Sequence, residues 1–229
     1  MTREALREHM QLYFIMGSVN CKEDPVEVLR KAIAGGITCF QYREKGKGSL
    51  QGHARYELAQ KLRQLCMDAG IPFIVNDDIN LAIEVQADGI HVGQEDEPAF
   101  RVRERIGSSM ILGVSAYNLE EAERAAQEGA DYLGIGPIYP TGTKEDAKSA
   151  SGTGVIRLIH QAGYGLPMVG IGGIHLSNAW EIIQAGADGV SVISAISHSA
   201  DPQAAASALY TAVQESCAAQ NALSDKRGV

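Results

Sequence analysis

The four cysteines, Cys21, Cys39, Cys66 and Cys217, form no pair with the spacing of a metal or redox motif. They are expected to be reduced and structural, as in a cytosolic protein. Five of the histidines, His9, His53, His160, His175 and His198, show no metal-ligand spacing, and the sixth, His91, lies inside a strand and reads as a satisfied core residue or one supporting a site residue from behind. There is no basic stripe: 20 Lys and Arg stand against 28 Asp and Glu, a formal net charge of −8. That balance excludes the electrostatic footprint of a non-specific nucleic-acid binder. No apolar stretch approaches the roughly 20 residues of a membrane span. The N-terminal Met1-Thr2-Arg3-Glu4 is charged and lacks an apolar signal core. These absences lead us to expect a cytoplasmic protein with small-molecule partners and no nucleic acid or membrane, and they are compatible with a homo-oligomer.

What is present is a repeated grammar. Pro72-Phe73-Ile74-Val75 runs apolar and stops at Asn76-Asp77-Asp78. A short apolar run without polar alternation reads as a strand buried on both faces of a parallel sheet. Eight such runs are expected: 12–16, 39–43, 73–76, 89–93, 111–115, 132–138, 168–171 and 190–193. Helical patterns separate them, at 25–34, 49–69, 79–85, 98–106, 119–128, 155–161, 177–185 and from Pro202 to about Gln220. Pro25 opens a helix and Gly35-Gly36 closes it, as the asymmetry of proline and glycine at helix ends favours. Eight strands alternating with helices in 229 residues predict one domain, a single (β/α)8 TIM barrel, which typically needs about 250 residues. Residues 1–11 read as a lead-in helix and 221–229 as a flexible tail. An echo, Ala87-Asp88-Gly89, Ala130-Asp131-Tyr132 and Ala187-Asp188-Gly189, joins helix ends to strand starts. Those aspartates fall on the N-terminal face, where turn and cap roles are expected.

Chemistry is expected at the other end, where the strands finish. Gln41-Tyr42-Arg43-Glu44-Lys45 ends the second strand. Alternation places Gln41 and Arg43 on one face, and the cations suggest a polyanion, although Glu44 and Lys47 fit a solvated loop. Asp77 ends the third strand and Asp96 follows the fourth. Carboxylates from neighbouring strand ends suit Mg²⁺, which takes one or two of them plus water and phosphate oxygens. Asp78 is expected to cap the following helix instead. Ser115 has no histidine–acid pair placed to make it a nucleophile, so it reads as a hydrogen-bonding group. The long polar stretch from Gly136 to Gly154 reads as a binding loop or lid, with Lys144 able to swing over a phosphate. Gly170-Ile171-Gly172-Gly173 and Ser191-Val192-Ile193-Ser194 end strands seven and eight, where this fold commonly binds phosphate with backbone N–H groups.

Taken in order, these motifs resemble the thiamine phosphate synthase family. The resemblance rests on Gln41-Tyr42-Arg43-Glu44-Lys45, Val75-Asn76-Asp77-Asp78, His91-Val92-Gly93-Gln94-Glu95-Asp96, Gly113-Val114-Ser115, Gly136 to Thr141 with Thr143-Lys144, and Gly170 to Ile174. It spans nearly the whole chain and implies a transferase. Such an enzyme joins a pyrimidine diphosphate to a thiazole phosphate, or its 2-carboxy form, giving thiamine monophosphate and pyrophosphate by dissociative chemistry. The resemblance implies one Mg²⁺ on Asp77 and Asp96. It implies Gln41, Tyr42, Arg43, Glu44, Lys45, Asn76, Ser115 and Lys144 around the pyrimidine diphosphate, with Arg43, Lys45, Lys144 and Ser115 catalytic. It implies Thr141, Gly142, Thr143, Gly173, Ile193 and Ser194 around the thiazole phosphate. One departure is Tyr117, where the family often has histidine. A thiazole tautomerase, a silent phosphate-binding homologue and a sugar-phosphate epimerase are the rival readings. The retained Arg43, Asp77, Asp96 and Lys144 speak against the first, and the absence of any loss among the metal and diphosphate residues against the second; Asp77 and Asp96 could serve the third, but it leaves the basic cluster at Arg43 to Lys45 unexplained.

Overall fold

The computed structural model describes residues 2–142 and 149–227. Eight parallel strands close into a barrel in sequence order. They are β1 (Leu12–Met16), β2 (Cys39–Tyr42), β3 (Phe73–Asn76), β4 (Gly89–Val92), β5 (Ile111–Ala116), β6 (Tyr132–Ile135), β7 (Met168–Ile171) and β8 (Gly189–Val192). Around them run α2 (Pro25–Ala34), α3 (Gly52–Ala69), α4 (Ile79–Glu84), α5 (Ala99–Ile106), α6 (Leu119–Gln127), α7 (Gly154–Ala162), α8 (Ala179–Gln184) and α10 (Pro202–Arg227). A short α9 (Ser194–Ser197) follows β8, and α1 (Arg3–His9) precedes the barrel. Among the described residues no helix is long and apolar enough to cross a membrane.

Local chemistry explains the helix starts. Thr2 accepts from the Ala5 N–H, Asp24 from Val26, Asp78 from Leu81 and Asn118 from Glu121, each satisfying a donor that helix geometry leaves unpaired. The expected start of the third helix at Ser49 is three residues early. The Leu50 N–H is taken by the Glu44 carboxylate at 2.8 Å, and the helix begins only at Gly52. Strand β6 ends at Ile135 rather than Ile138. Gly136 has φ +152° and packs so closely on the Ile171 carbonyl that a Cβ there would lie 2.1 Å from its oxygen, and Pro137 has no N–H for a ladder. The expected tail also differs: α10 continues to Arg227, because no glycine or proline interrupts the chain between Pro202 and Gly228.

Alternation along each strand sorts the core into two bodies. Outward residues such as Phe14, Phe40, Phe73, Val75, Ile90, Leu112, Leu133 and Val190 pack under the helices. Inward residues Tyr13, Ile15, Cys39, Ile74, Ile111, Tyr132, Val169 and Ile193 fill the barrel, and Leu6 and Met10 from α1 and its C-terminal end join them. Full burial of such apolar side chains is worth about 1.5–3 kcal/mol each.

The N-terminal rim carries a device repeated four times. Thr38, Asp88, Asp131 and Asp188 each precede an even-numbered strand. Each side chain accepts an N–H at the start of the preceding odd strand, from Leu12, Phe73, Leu112 and Met168, at 2.8–2.9 Å. Each backbone N–H returns a bond to the carbonyl of the same residue. Asp131 also pairs with Arg103 at 2.6 Å and Asp188 with Arg7 at 2.5 Å. The structural role expected of Asp88, Asp131 and Asp188 is therefore borne out. Asp188→Ala strands the Met168 N–H and the Arg7 guanidinium, an expected loss of about 1–3 kcal/mol in urea unfolding. The rim lies opposite the site described below, so kcat/KM should stay within about twofold of the parent.

Candidate active site

The C-terminal ends of the strands surround a cavity that opens to solvent at the barrel mouth. One wall is charged. β2 delivers Arg43 and Lys45, β3 delivers Asn76 and Asp77, and the turn after β4 delivers Asp96. The opposite wall is backbone-rich: Gly172, Gly173, Ile193 and Ser194 after β7 and β8, with Gly136, Pro137 and Thr141 from the β6 loop. Ser115, His91, Ser191 and Tyr117 also line it.

Asp77 sits in a left-handed conformation at φ +62°, which aspartate and asparagine tolerate better than most residues. Its carboxylate receives Lys45 Nζ at 2.9 Å and lies within hydrogen-bonding reach of Asp96. Burial raises the Asp77 pKa, the Asp96 charge adds to the rise, and Lys45 opposes both. Asp96 in turn accepts the Gly93 N–H at 2.7 Å, which holds the turn after β4 in place. Asp78 points away, capping α4 and pairing with Arg55 at 2.8 Å, as expected. The two carboxylates and a neighbouring cation offer only oxygen ligands, and among the described residues no group of three or more His, Cys, Asp or Glu forms a complete cage. That donor set fits a hard divalent cation whose remaining ligands come from water and phosphate.

Gly172 and Gly173 adopt φ +97° and +64°. A Cβ on Gly172 would lie 2.6 Å from Pro137 Cβ, and one on Gly173 2.7 Å from the Pro140 carbonyl. Glycine is therefore required for the β7 loop to nest against the β6 loop. Asn178 ties this turn down, donating to the Gly173 carbonyl at 3.0 Å and accepting from the His175 N–H.

The structure gathers Arg43, Lys45, Asn76, Asp77, Asp96, Ser115, Thr141, Gly173, Ile193 and Ser194 around one cavity. Four other residues expected at the site are placed outside the cavity lining. The Tyr42 side chain faces outward, donating to the Arg55 carbonyl and stacking near Phe73. Glu44 is buried rather than solvated. Its carboxylate accepts the Ser18 N–H, the Ser18 hydroxyl and the Leu50 N–H, anchoring the loop between its two cationic neighbours. Gln41 points into the barrel but below the cavity, where it donates to Tyr13 Oη. Gly142 does not line the cavity. Thr143 and Lys144 lie outside the described residues. His91, expected to be a satisfied core residue or one supporting a site residue from behind, is hydrogen-bonded on both ring nitrogens, to Tyr132 and Ser115, and also lines the cavity. Ser191, expected as part of a phosphate loop, shares a face with Ile193 by alternation, and strand pairing sets His91 beside Asn76.

A closed parallel barrel with cations, a carboxylate pair and glycine loops at its C-terminal mouth defines an enzyme acting on phosphorylated small molecules. The model of the family described as thiamine monophosphate synthase matches residues 12–196. Thiamine-phosphate synthase from Geobacillus thermodenitrificans is 54% identical over 214 residues, covering 93% of this chain and 96% of that protein. The one from Geobacillus kaustophilus is 56% identical, covering 91% and 94%. The solved thiamine phosphate pyrophosphorylase from Pyrococcus furiosus superposes with a TM-score of 0.83 at 38% identity, covering 92% of this chain and 98% of that one. The chain belongs to the thiamine monophosphate synthase family of transferases.

A carboxyl whose pKa is raised in the folded state opposes folding once it ionises, and that penalty fades as pH falls through the folded pKa. Asp77→Asn keeps the left-handed backbone and removes the charge. At pH 7 its urea midpoint should equal or exceed the parent's, and the parent should gain on it as pH is lowered. Asp96→Asn should bring the Asp77 carboxyl, followed by ¹³C NMR titration, back toward its ordinary value.

Proposed function

We propose that the charged wall binds the diphosphate of an aminopyrimidine methyl diphosphate, and that the glycine wall holds a thiazole phosphate beside it, with or without a 2-carboxylate. The enzyme joins them into thiamine monophosphate and releases pyrophosphate. The observation that carries this reading is the placement of Arg43 and Lys45 beside the Asp77–Asp96 pair, across one cavity from Gly173, Ile193 and Ser194. Polyanion-binding charge and a divalent-cation ligand set share one wall, and a backbone-rich wall of glycines and the start of α9 faces them.

In the proposed reaction the methylene carbon–oxygen bond breaks and its electron pair leaves with the diphosphate. The thiazole nitrogen then supplies the pair that forms the new carbon–nitrogen bond. Asp77 and Asp96 would hold one Mg²⁺, which supplies Lewis-acid neutralisation of the departing oxygens when bound. Arg43, Lys45 and, by family resemblance, Lys144 provide fixed positive charge at the same place. Asn76 and Ser115 orient the diphosphate-bearing substrate, and Gln41 lies beneath it. Thr141, Thr143 and the backbone of residues 173 and 193–194 hold the thiazole phosphate. Apolar walls from Ile171, Ile174 and Val192 limit water, which would otherwise capture an electron-poor methylene. The aminopyrimidine stabilises that carbon electronically, so no side-chain nucleophile is required. This chemistry belongs to a cytoplasmic biosynthetic enzyme.

The test is a two-product assay with purified protein, pyrimidine diphosphate, thiazole phosphate and Mg²⁺. Thiamine monophosphate and pyrophosphate should appear in equal amounts, and EDTA should stop both. Arg43→Ala should lower kcat by roughly 10²–10³-fold, the scale of losing one preorganised electrostatic contact. Full turnover in EDTA with Asp77→Asn and Asp96→Asn both active would overturn the metal assignment.

A further inference from the structure

Below the cavity, the barrel interior is crossed by a hydrogen-bonded chain of five side chains from five strands. Gln41 Nε2 donates to Tyr13 Oη at 2.9 Å. Tyr13 Oη and Tyr132 Oη are 2.7 Å apart, Tyr132 Oη and His91 Nδ1 3.0 Å, and His91 Nε2 and Ser115 Oγ 2.9 Å. Tyr13 and Tyr132 are fully buried, and burial pushes both phenols well above their ordinary range, so each keeps its single hydrogen.

Two glycines make room for the chain. A Cβ on Gly113 would lie 2.1–2.4 Å from the Tyr132 ring and hydroxyl, and one on Gly134 would lie 3.1 Å from His91 Cε1. The rest of the barrel filling is largely apolar, and apolar residues of similar volume would fill this space without the cost of desolvating polar groups. A polar chain kept here, leaving only Gln41 Oε1 without a partner among its members and ending at the cavity, departs from ordinary core filling in the way functional positions do.

Proton counting gives the chain a direction. The Gln41 amide nitrogen can only donate. If Tyr13 accepts from it and donates to Tyr132, then Tyr132 donates to His91 Nδ1. Nδ1 is then an acceptor, so neutral His91 carries its hydrogen on Nε2 and donates to Ser115. In the opposite order Tyr13 would accept twice, and its own buried hydrogen would have no acceptor in the chain, which costs about 1–3 kcal/mol. With the Gln41 amide nitrogen, rather than its oxygen, facing Tyr13, only the first order uses every hydroxyl hydrogen.

We propose that Tyr132 is a positioning residue: it holds His91 in the Nε2–H tautomer, so that Ser115 Oγ accepts from His91 and turns its own hydrogen toward the cavity. Ser115 then meets the diphosphate-bearing substrate as a donor. The reversed chain would spend that hydrogen on His91 and present Ser115 to a polyanion through its lone pairs. The catalytic consequence rests on the substrate reading above; the tautomer does not.

The test has two readouts on the full chain. In ¹⁵N-histidine-labelled protein without substrate, two-bond proton–nitrogen correlations should show His91, assigned by its loss in His91→Asn, in the Nε2–H form. In Tyr132→Phe that preference should be lost. The second readout is a double-mutant cycle on turnover. Tyr132→Phe should lower kcat about 10–100-fold, the scale of removing an outer hydrogen-bond partner, with KM for thiazole phosphate within about twofold. In a Ser115→Ala background the same change should cost nothing further, because the effect acts through Ser115. An Nδ1–H histidine in the parent, an unchanged tautomer in Tyr132→Phe, or additive losses in the cycle would each overturn the proposal. Should Tyr132→Phe fail to fold, Tyr13→Phe breaks the adjoining link, and the parent's tautomer still decides the direction. A parent with no turnover on these substrates would instead overturn the substrate reading, leaving the tautomer comparison to decide the chain by itself.

Discussion

The site depends on strand register, and register is pinned at the rim farthest from the chemistry. Thr38, Asp88, Asp131 and Asp188 each exchange two hydrogen bonds with the start of the preceding odd-numbered strand. A slip by one residue would send every inward side chain outward. Arg43 and Asn76 would leave the cavity and Tyr42 and Val75 would enter it. The four contacts fix the pairs β1–β2, β3–β4, β5–β6 and β7–β8, and the ladder between β2 and β3 joins the first two pairs, so the charges at the ends of β2 and β3 meet at the opposite mouth.

At that mouth the protein accepts local destabilisation. Two carboxylates share a half-buried site and Asp77 occupies a left-handed backbone conformation. Lys45 offsets part of the repulsion and a divalent cation with a diphosphate would offset the rest. The neighbouring Glu44 shows the opposite use of the same chemistry. With three donors it is a fastener, and its burial between Arg43 and Lys45 in sequence forces those two cations to the other side of the chain. Inside the barrel, the hydrogen-bonded side chains from Gln41 to Ser115 extend the polar character of the mouth into a region that apolar packing would otherwise fill.

Much of the architecture was legible in the chain. Eight apolar runs separated by helical patterns, with caps such as Asp24-Pro25 and Asp78, follow from local rules that need no partner. The boundaries missed were those set by distant contacts. The Glu44–Leu50 bond delayed α3, and the Ile171 carbonyl against Gly136 shortened β6. At the C-terminal end α10 runs past Gln220 to Arg227 because nothing in the sequence stops the helix there.

By itself the sequence determined the order and type of elements and which strand ends carry charge, because hydrophobic period, capping and turn chemistry are local. It also carried the family motifs from Gln41 to Ile174. Only the tertiary structure decided which side of each strand faces the barrel. Barrel strands are apolar on both faces, so alternation has no contrast to show. That is why His91, readable as a core residue or one supporting the site from behind, could not be assigned to the cavity from the chain alone. Closure also decided that residues 43–45, 77 and 96 share a cavity with 173 and 193–194, a juxtaposition created by bringing β8 back to β1 and written in no local segment.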